Sequence, residues 1–174
     1  MFLSNSTIQE YIQKGKISIT GDYEIESSGI SINLGNKLLL PLPNQVVDSK
    51  NPTELKYQEL DLTLSPCIIK PNGFVLGSTQ QSVKTDKDVI TFLDGRSTYA
   101  RAGLVIHLSA MVLDGLPFNT ENSVLEIKNL GYSDIVLHAG ERIGTYIFAQ
   151  LSSPIQGEKE SKYTNQNGVT PPIF

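Results

Sequence analysis

Two groups of residues in this chain have the types and spacing to do chemistry. The first is Gly95-Arg96-Ser97-Thr98 with Arg101 five residues after Arg96, which sets a flexible glycine, two guanidinium groups and two hydroxyls within one short stretch. The whole sequence has three arginines, and two of them fall here. Guanidinium meets phosphate oxygens bidentately, so such a donor cluster suits a polyphosphate. The competing reading is a surface turn whose arginines pair with Asp94 or another acid. The second group is Glu126, alone in Ser123-Val-Leu-Glu-Ile-Lys-Asn129. A carboxylate inside an alternating apolar strand is either a solvated outer-face residue or a general base in a site.

The elements that must hold these groups read as β. Ile17-Ser-Ile19, Ile30-Ser-Ile-Asn-Leu34, Tyr57 to Leu64 (with Leu60, Leu62 and Leu64 on one face) and Ser123 to Lys128 alternate apolar with polar residues, as half-buried strands do. Phe74 to Thr79, Val89 to Leu93, Ile135 to His138 and Gly144 to Leu151 are further strands, with Lys84 to Asp88 as a charged connection. Leu104 to Leu113 is nearly continuous and apolar, the pattern of a strand buried on both faces, which makes His107 a core histidine by default. Pro71-Asn-Gly73 is a turn, and Pro41 to Asn51 is a loop. Ser6-Thr-Ile-Gln9 has the form of a capping box opening a short N-terminal helix that Gly15 ends. The expectation is a single, mainly β domain over residues 1–174, a barrel or sandwich. Residues 152–174 form a polar tail that is either disordered or a flap over a ligand.

Composition narrows the functions. A net charge of −4 does not suit a general nucleic-acid surface, so any anion site must be a local pocket. The lone Cys67 allows no internal disulfide and is expected to be a buried strand residue in a reduced, cytoplasmic setting. No apolar run reaches the length of a membrane span, and the start lacks a charged signal region. Zinc deamination needs His-x-Glu with Pro-Cys-x-x-Cys, and His107 and His138 with one cysteine do not supply it.

Taken in order, several segments resemble the dCTP deaminase branch of the dUTPase superfamily: Ile30 to Lys37, Pro71 to Thr79, Gly95 to Gly103, His107 to Ala110, Asp114, Val124-Leu-Glu126 and Lys162 to Gly168. The resemblance covers nearly the whole chain. It implies a distorted β-barrel or jelly-roll-like dUTPase fold, assembled as a homotrimer with sites between subunits. It also implies zinc-free hydrolysis of dCTP to dUTP and ammonia, with Mg²⁺ carried on the triphosphate. In that family pattern Glu126 activates the water, which Ser97 and the Ala110 carbonyl orient. Arg96, Ser97, Thr98 and Arg101 hold the triphosphate end, and Asp114 takes the 3′-hydroxyl. Val124 and Leu125 lie against the substrate, and Lys162 and Gln166 close over the phosphates. The strand around His107 is where dTTP feedback is felt.

The chain departs from the pattern after Asp114, where Gly115-Leu-Pro-Phe-Asn-Thr-Glu-Asn-Ser123 is different and longer. Val112 stands where an arginine is usual, and a tyrosine has no counterpart near Ile155. Two alternatives therefore stay open. One is a dUTP diphosphatase, alone or combined with deamination, with Asp114 activating water against the α-phosphorus. The other is a nucleotide-sensing module without catalysis.

Overall fold

The computed structural model describes residues 1–113, 122–157, 162–163 and 166–174. Its N-terminal helix α1 (Asn5–Gln13) seats Ile8 in the core. The helix begins earlier than the capping-box reading placed it. Ser4 is the N-cap, and Ser6 lies inside the first turn, its hydroxyl 3.0 Å from that of Ser4. The C-terminal end is as expected. Gly15 takes a left-handed φ of +73°, its N–H bonds Ile12 O, and Lys16 N–H bonds Tyr11 O, closing the helix as a Schellman turn.

The strands follow as β1 (Ile17–Thr20), β2 (Gly29–Asn33), β3 (Lys37–Pro41), β4 (Tyr57–Asp61), β5 (Cys67–Ile69), β6 (Phe74–Ser78), β7 (Ser82–Thr85) and β8 (Val89–Gly95). A five-residue helix α2 (Ser97–Arg101) precedes β9 (Leu104–Val105), β10 (Val112–Leu113), β11 (Val124–Asn129), β12 (Ile135–Leu137) and β13 (Arg142–Gln150). Two main sheets form, ordered β10-β8-β13-β2 and β4-β3-β6-β11-β9, with the pairs β1-β7 and β12-β5 beside them. Every pairing between these strands is antiparallel. Side chains from both main sheets fill one core, in which Tyr146, Phe148, Ile32, Leu125 and Ile127 are fully buried. This is the mainly β, distorted barrel expected, and the sheets do not close into a continuous cylinder. Among the described residues no helix is long and apolar enough to cross a membrane.

Several expectations need correction. The apolar run from Leu104 is not one doubly buried strand. Its start pairs with β11 (Leu104 with Asn129, Val105 with Lys128), and its end pairs with β8 (Val112 with Phe92, Leu113 with Thr91). The segment between crosses from one sheet to the other, leaving Leu108, Met111 and Val112 exposed. His107 accordingly sits at the rim, with its side chain 24% exposed. The supposed charged connection from Lys84 begins inside β7, which pairs with β1 and buries Val83. Behind it Lys16 Nζ meets Asp88 at 2.6 Å and holds that carboxyl below the usual range. β2 is buried on both faces, because residues 24–26 fold over its outer side through Glu26 N–H to Gly29 O and Ser31 N–H to Glu24 O. β4 stops at Asp61, whose carboxylate accepts from Thr63 N–H (2.8 Å) and Oγ1 (2.6 Å), so Leu64 leaves the strand face and is exposed. Cys67 is buried in β5, as expected.

The turn that joins α2 to β9 allows no side chain. Gly103 has φ +93°, and a Cβ there would run into the backbone of Gly131; one on Gly131 would run into the carbonyl of Ala102. Gly103→Ala is expected to cost about 2–4 kcal/mol from left-handed strain and backbone displacement. That lowers the melting temperature by roughly 5–12 °C for a chain of this size. Differential scanning calorimetry checks it, and an unchanged melting temperature would mean the turn is not packed this way.

Candidate active site

Glu126 owes its position to a strict period of two. In β11, Leu125, Ile127 and Asn129 are buried while Val124, Glu126 and Lys128 point to the other face and are half-buried. β6 fixes the register from one side, with Glu126 opposite Leu76. On the other side the crossing segment replaces a regular strand neighbour. Glu126 N–H donates to Ile106 O at 2.9 Å, and Leu108 N–H donates to Glu126 Oε2 at 3.0 Å. The carboxylate is therefore oriented by main chain, and among the described residues the rest of its oxygen lone pairs are left for a ligand or water. Ala110 lies two residues beyond Leu108 on this segment and is exposed. Val124 shares Glu126's face, whereas the Leu125 side chain is sealed in the core, so Leu125 can meet a ligand only through its main chain.

The cationic group is carried by α2. Arg96 is the extended N-cap residue, Ser97 and Thr98 open the helix, and Arg101 ends it. Tyr99 anchors the helix against the core; burial, reinforced by Glu141, raises its phenol pKa. Ser97, Thr98 and Arg101 are exposed and Arg96 half-buried. Among the described residues neither Arg96 nor Arg101 makes an ion pair. Among the described residues the arginines pair with neither Asp94 nor another acid, as the surface-turn reading would have them: Asp94 Oδ1 accepts from Gly95 N–H at 2.7 Å and faces His107 Nε2 at 3.4 Å. The third arginine shows the opposite behaviour, with Arg142 paired to Glu24 at 2.9 Å and to Glu26.

The α2 group and Glu126 lie in the same part of the fold, because α2 runs into β9 and β9 pairs with β11. Among the described residues of one chain, no hydrogen bond or ion pair joins α2 to Glu126. The tail reaches the other end of β11. Gln166 Nε2 donates to Asn122 O at 3.1 Å, and Gly168 N–H to Asn122 Oδ1 at 3.3 Å. Among the described residues Lys162 Nζ reaches Ile173 O, at 3.5 Å, and neither Glu126 nor the arginines. His107 Nδ1 is buried without a partner among the described residues. Asp114 and the divergent stretch up to residue 121 lie outside the described residues. Among the described residues no three His, Cys, Asp or Glu side chains converge to hold a metal.

Sequence reasoning missed Leu108 and Asn122. Leu108 acts through its main chain, which leaves no residue-type signal. Asn122 bears an amide just ahead of an alternating strand, the position of a cap or tie, and that was the available clue.

Comparison with known proteins agrees with the fold and identifies the family. The family model described as dCTP deaminase-like matches residues 2–151. A dUMP-forming dCTP deaminase from Dictyoglomus thermophilum is 32% identical over 186 residues, covering 98% of this chain and 93% of the relative. A dCTP deaminase from Buchnera aphidicola is 33% identical over 189 residues, with 98% and 97% covered. Among solved structures, the 2′-deoxycytidine 5′-triphosphate deaminase of Agrobacterium tumefaciens superposes with a TM-score of 0.62 at 15% identity, over 84% of this chain and 48% of that longer one. The dUTPase of EIAV superposes with a TM-score of 0.52 at 14% identity, over 84% and 98%. At these identities the structures speak for the fold, and the sequence matches speak for more. With a family model spanning most of its length and relatives above 30% identity along nearly all of it, this chain belongs to the dCTP deaminase-like family.

Proposed function

We propose that the chain hydrolyses dCTP to dUTP and ammonia without zinc, supplying dUTP for dUMP and dTTP synthesis, with Glu126 as the proton carrier. The observation that carries this reading is the Glu126 carboxylate, held by Leu108 N–H at 3.0 Å on a half-buried strand face, in a fold where neither Arg96 nor Arg101 makes an ion pair among the described residues. Glu126 takes a proton from water as the oxygen bonds to C4 of the cytosine. It passes that proton to N3, relieving the charge that attack builds on the ring. The second proton of the water goes to the exocyclic amine, the C4–N bond breaks, and ammonia leaves as the C4 carbonyl forms. Ser97 and the Ala110 carbonyl orient the water.

Arg96, Ser97, Thr98 and Arg101 bind the triphosphate, and Mg²⁺ bound to phosphate oxygens would neutralise part of its charge. The chain assembles as a homotrimer in which a neighbouring subunit supplies at least one of these groups; among the described residues of one chain, no hydrogen bond or ion pair ties α2 to Glu126. Asp114 accepts the 3′-hydroxyl, Val124 and the Leu125 main chain lie against the base, and the 152–174 tail brings Lys162 and Gln166 over the phosphates. The His107 rim, one residue from Leu108, is where dTTP would report back to the carboxylate. The setting is cytoplasmic.

A second reading has its own support: relatives from Methanosphaera stadtmanae and Dictyoglomus thermophilum are named dUMP-forming. Asp114 would then activate a further water against the α-phosphorus. Incubation with dCTP and Mg²⁺, with ammonia assayed and nucleotides resolved by chromatography, separates the two. The expected products are dUTP and ammonia in equal amounts. dUMP with pyrophosphate selects the bifunctional reading, and calorimetric binding without any product selects a sensor.

A further inference from the structure

Asn122 joins three parts of the chain. Its Nδ2 donates to Thr79 O at 2.8 Å and Gln80 O at 3.3 Å, its Oδ1 accepts from Gly168 N–H at 3.3 Å, and its main-chain carbonyl accepts from Gln166 Nε2 at 3.1 Å. The residue after it belongs to a buried polar network. Ser123 N–H donates to Thr79 Oγ1 at 3.1 Å, Tyr146 OH donates to Ser123 Oγ at 2.6 Å, and Thr79 Oγ1 donates to Gln81 O at 2.7 Å. Thr79, Gln81, Ser123 and Tyr146 are all nearly or fully buried. Burial also pushes the Tyr146 phenol up, which keeps it a neutral donor. A satisfied buried network of this kind is stiff. It fixes the chain just ahead of β11, where Asn122 lies four residues before Glu126, a span of about 13 Å along extended chain.

We infer that Asn122 is a positioning residue: it ties Gln166 and Gly168 to this stiff frame before nucleotide arrives, so residues 166–168 are ordered in advance rather than at binding. The chemistry selects an amide. Asparagine donates to two carbonyls while accepting one N–H, whereas aspartate cannot donate and alanine can do neither. Gln166 Nε2 keeps a second N–H beyond the one spent on Asn122, and that proton is the one left for a phosphate oxygen. Ordering a tail only on binding weakens apparent affinity by the fraction of time it is undocked. The kinetic part of this inference rests on the deaminase reading; the docking part does not.

The test uses Asn122→Ala, Asn122→Asp and Gln166→Ala in the full chain. In ligand-free protein, trypsin cleavage after Lys162, followed by mass spectrometry, is expected to quicken about fivefold or more in Asn122→Ala. Asn122→Asp, which keeps the acceptor for Gly168, falls between it and wild type. KM for dCTP with Mg²⁺ is expected to rise about tenfold in Asn122→Ala with kcat within about twofold. Combining Asn122→Ala with Gln166→Ala should add little to either single change. Wild-type cleavage rates in Asn122→Ala overturn the inference, as do fully additive KM effects, or a fall in kcat at unchanged KM. Gln166→Ala leaves the buried network intact, so its cleavage rate in ligand-free protein, expected to quicken as in Asn122→Ala, decides the matter even where Asn122→Ala destabilises the fold; an unchanged rate overturns the inference. If wild type turns over no dCTP, the deaminase reading fails while the cleavage rates still decide the role of Asn122.

Discussion

Glu126→Gln is expected to bind dCTP with near-normal affinity and to release ammonia at least about 10²–10⁴-fold more slowly. The substitution is nearly isosteric, and an amide oxygen can still accept from Leu108 N–H, so β11 keeps its register between β6 and the crossing segment. What the amide cannot do is take a proton from water and return it to the ring. The loss therefore falls on kcat and on kcat/KM together, with KM little changed, the signature of an interaction that matters only in the transition state. Stopped assays of ammonia alongside calorimetric dCTP binding measure both sides. Turnover like that of the wild type would remove Glu126 from the mechanism.

Arg96→Ala and Arg101→Ala should each raise KM for the nucleotide by about 10–100-fold, the size of one or two charge-assisted hydrogen bonds of roughly 1.5–3 kcal/mol. Because neither guanidinium is spent on an ion pair among the described residues, removing it costs the unliganded fold little, and the melting temperature should hardly move. Arg142→Ala is the contrasting case. It strands Glu24 and Glu26, so it should lower the melting temperature and leave KM alone. Lysine at position 96 or 101 should restore only part of the affinity, since an ammonium cannot reproduce the planar fork. Unchanged KM in both alanine variants would take the phosphate away from α2.

Some of this architecture could be read without coordinates. The face of β11 that carries Glu126 follows from period-two alternation alone, because a pleated strand offers no other way to bury Leu125 and Ile127 together. The glycine stop at Gly15 is legible for a similar reason, since a left-handed residue is needed there. The start of the same helix is not, because Ser4 and Ser6 are equally good caps on paper. α2 leaves no periodic trace in five residues.

Residue types and their order along the chain were enough to identify a carboxylate on a strand, an arginine–hydroxyl cluster, a mainly β fold and a dCTP deaminase-like pattern. Only the folded chain decided how those groups are used. A hydrophobic run carries no label saying which sheet each end joins, so the crossing of residues 106–111 over Glu126 emerged from pairing with two different sheets. Nor does composition say whether a cation is spent. Arg142 is taken up by acids that residues 24–26 bring to it, while Arg96 and Arg101 make no ion pair among the described residues, because ion pairs depend on which distant segments meet. The tail reads as disordered for the same reason: its tie at Asn122 is made by residues 44 and 46 positions away in the chain, beyond any local pattern.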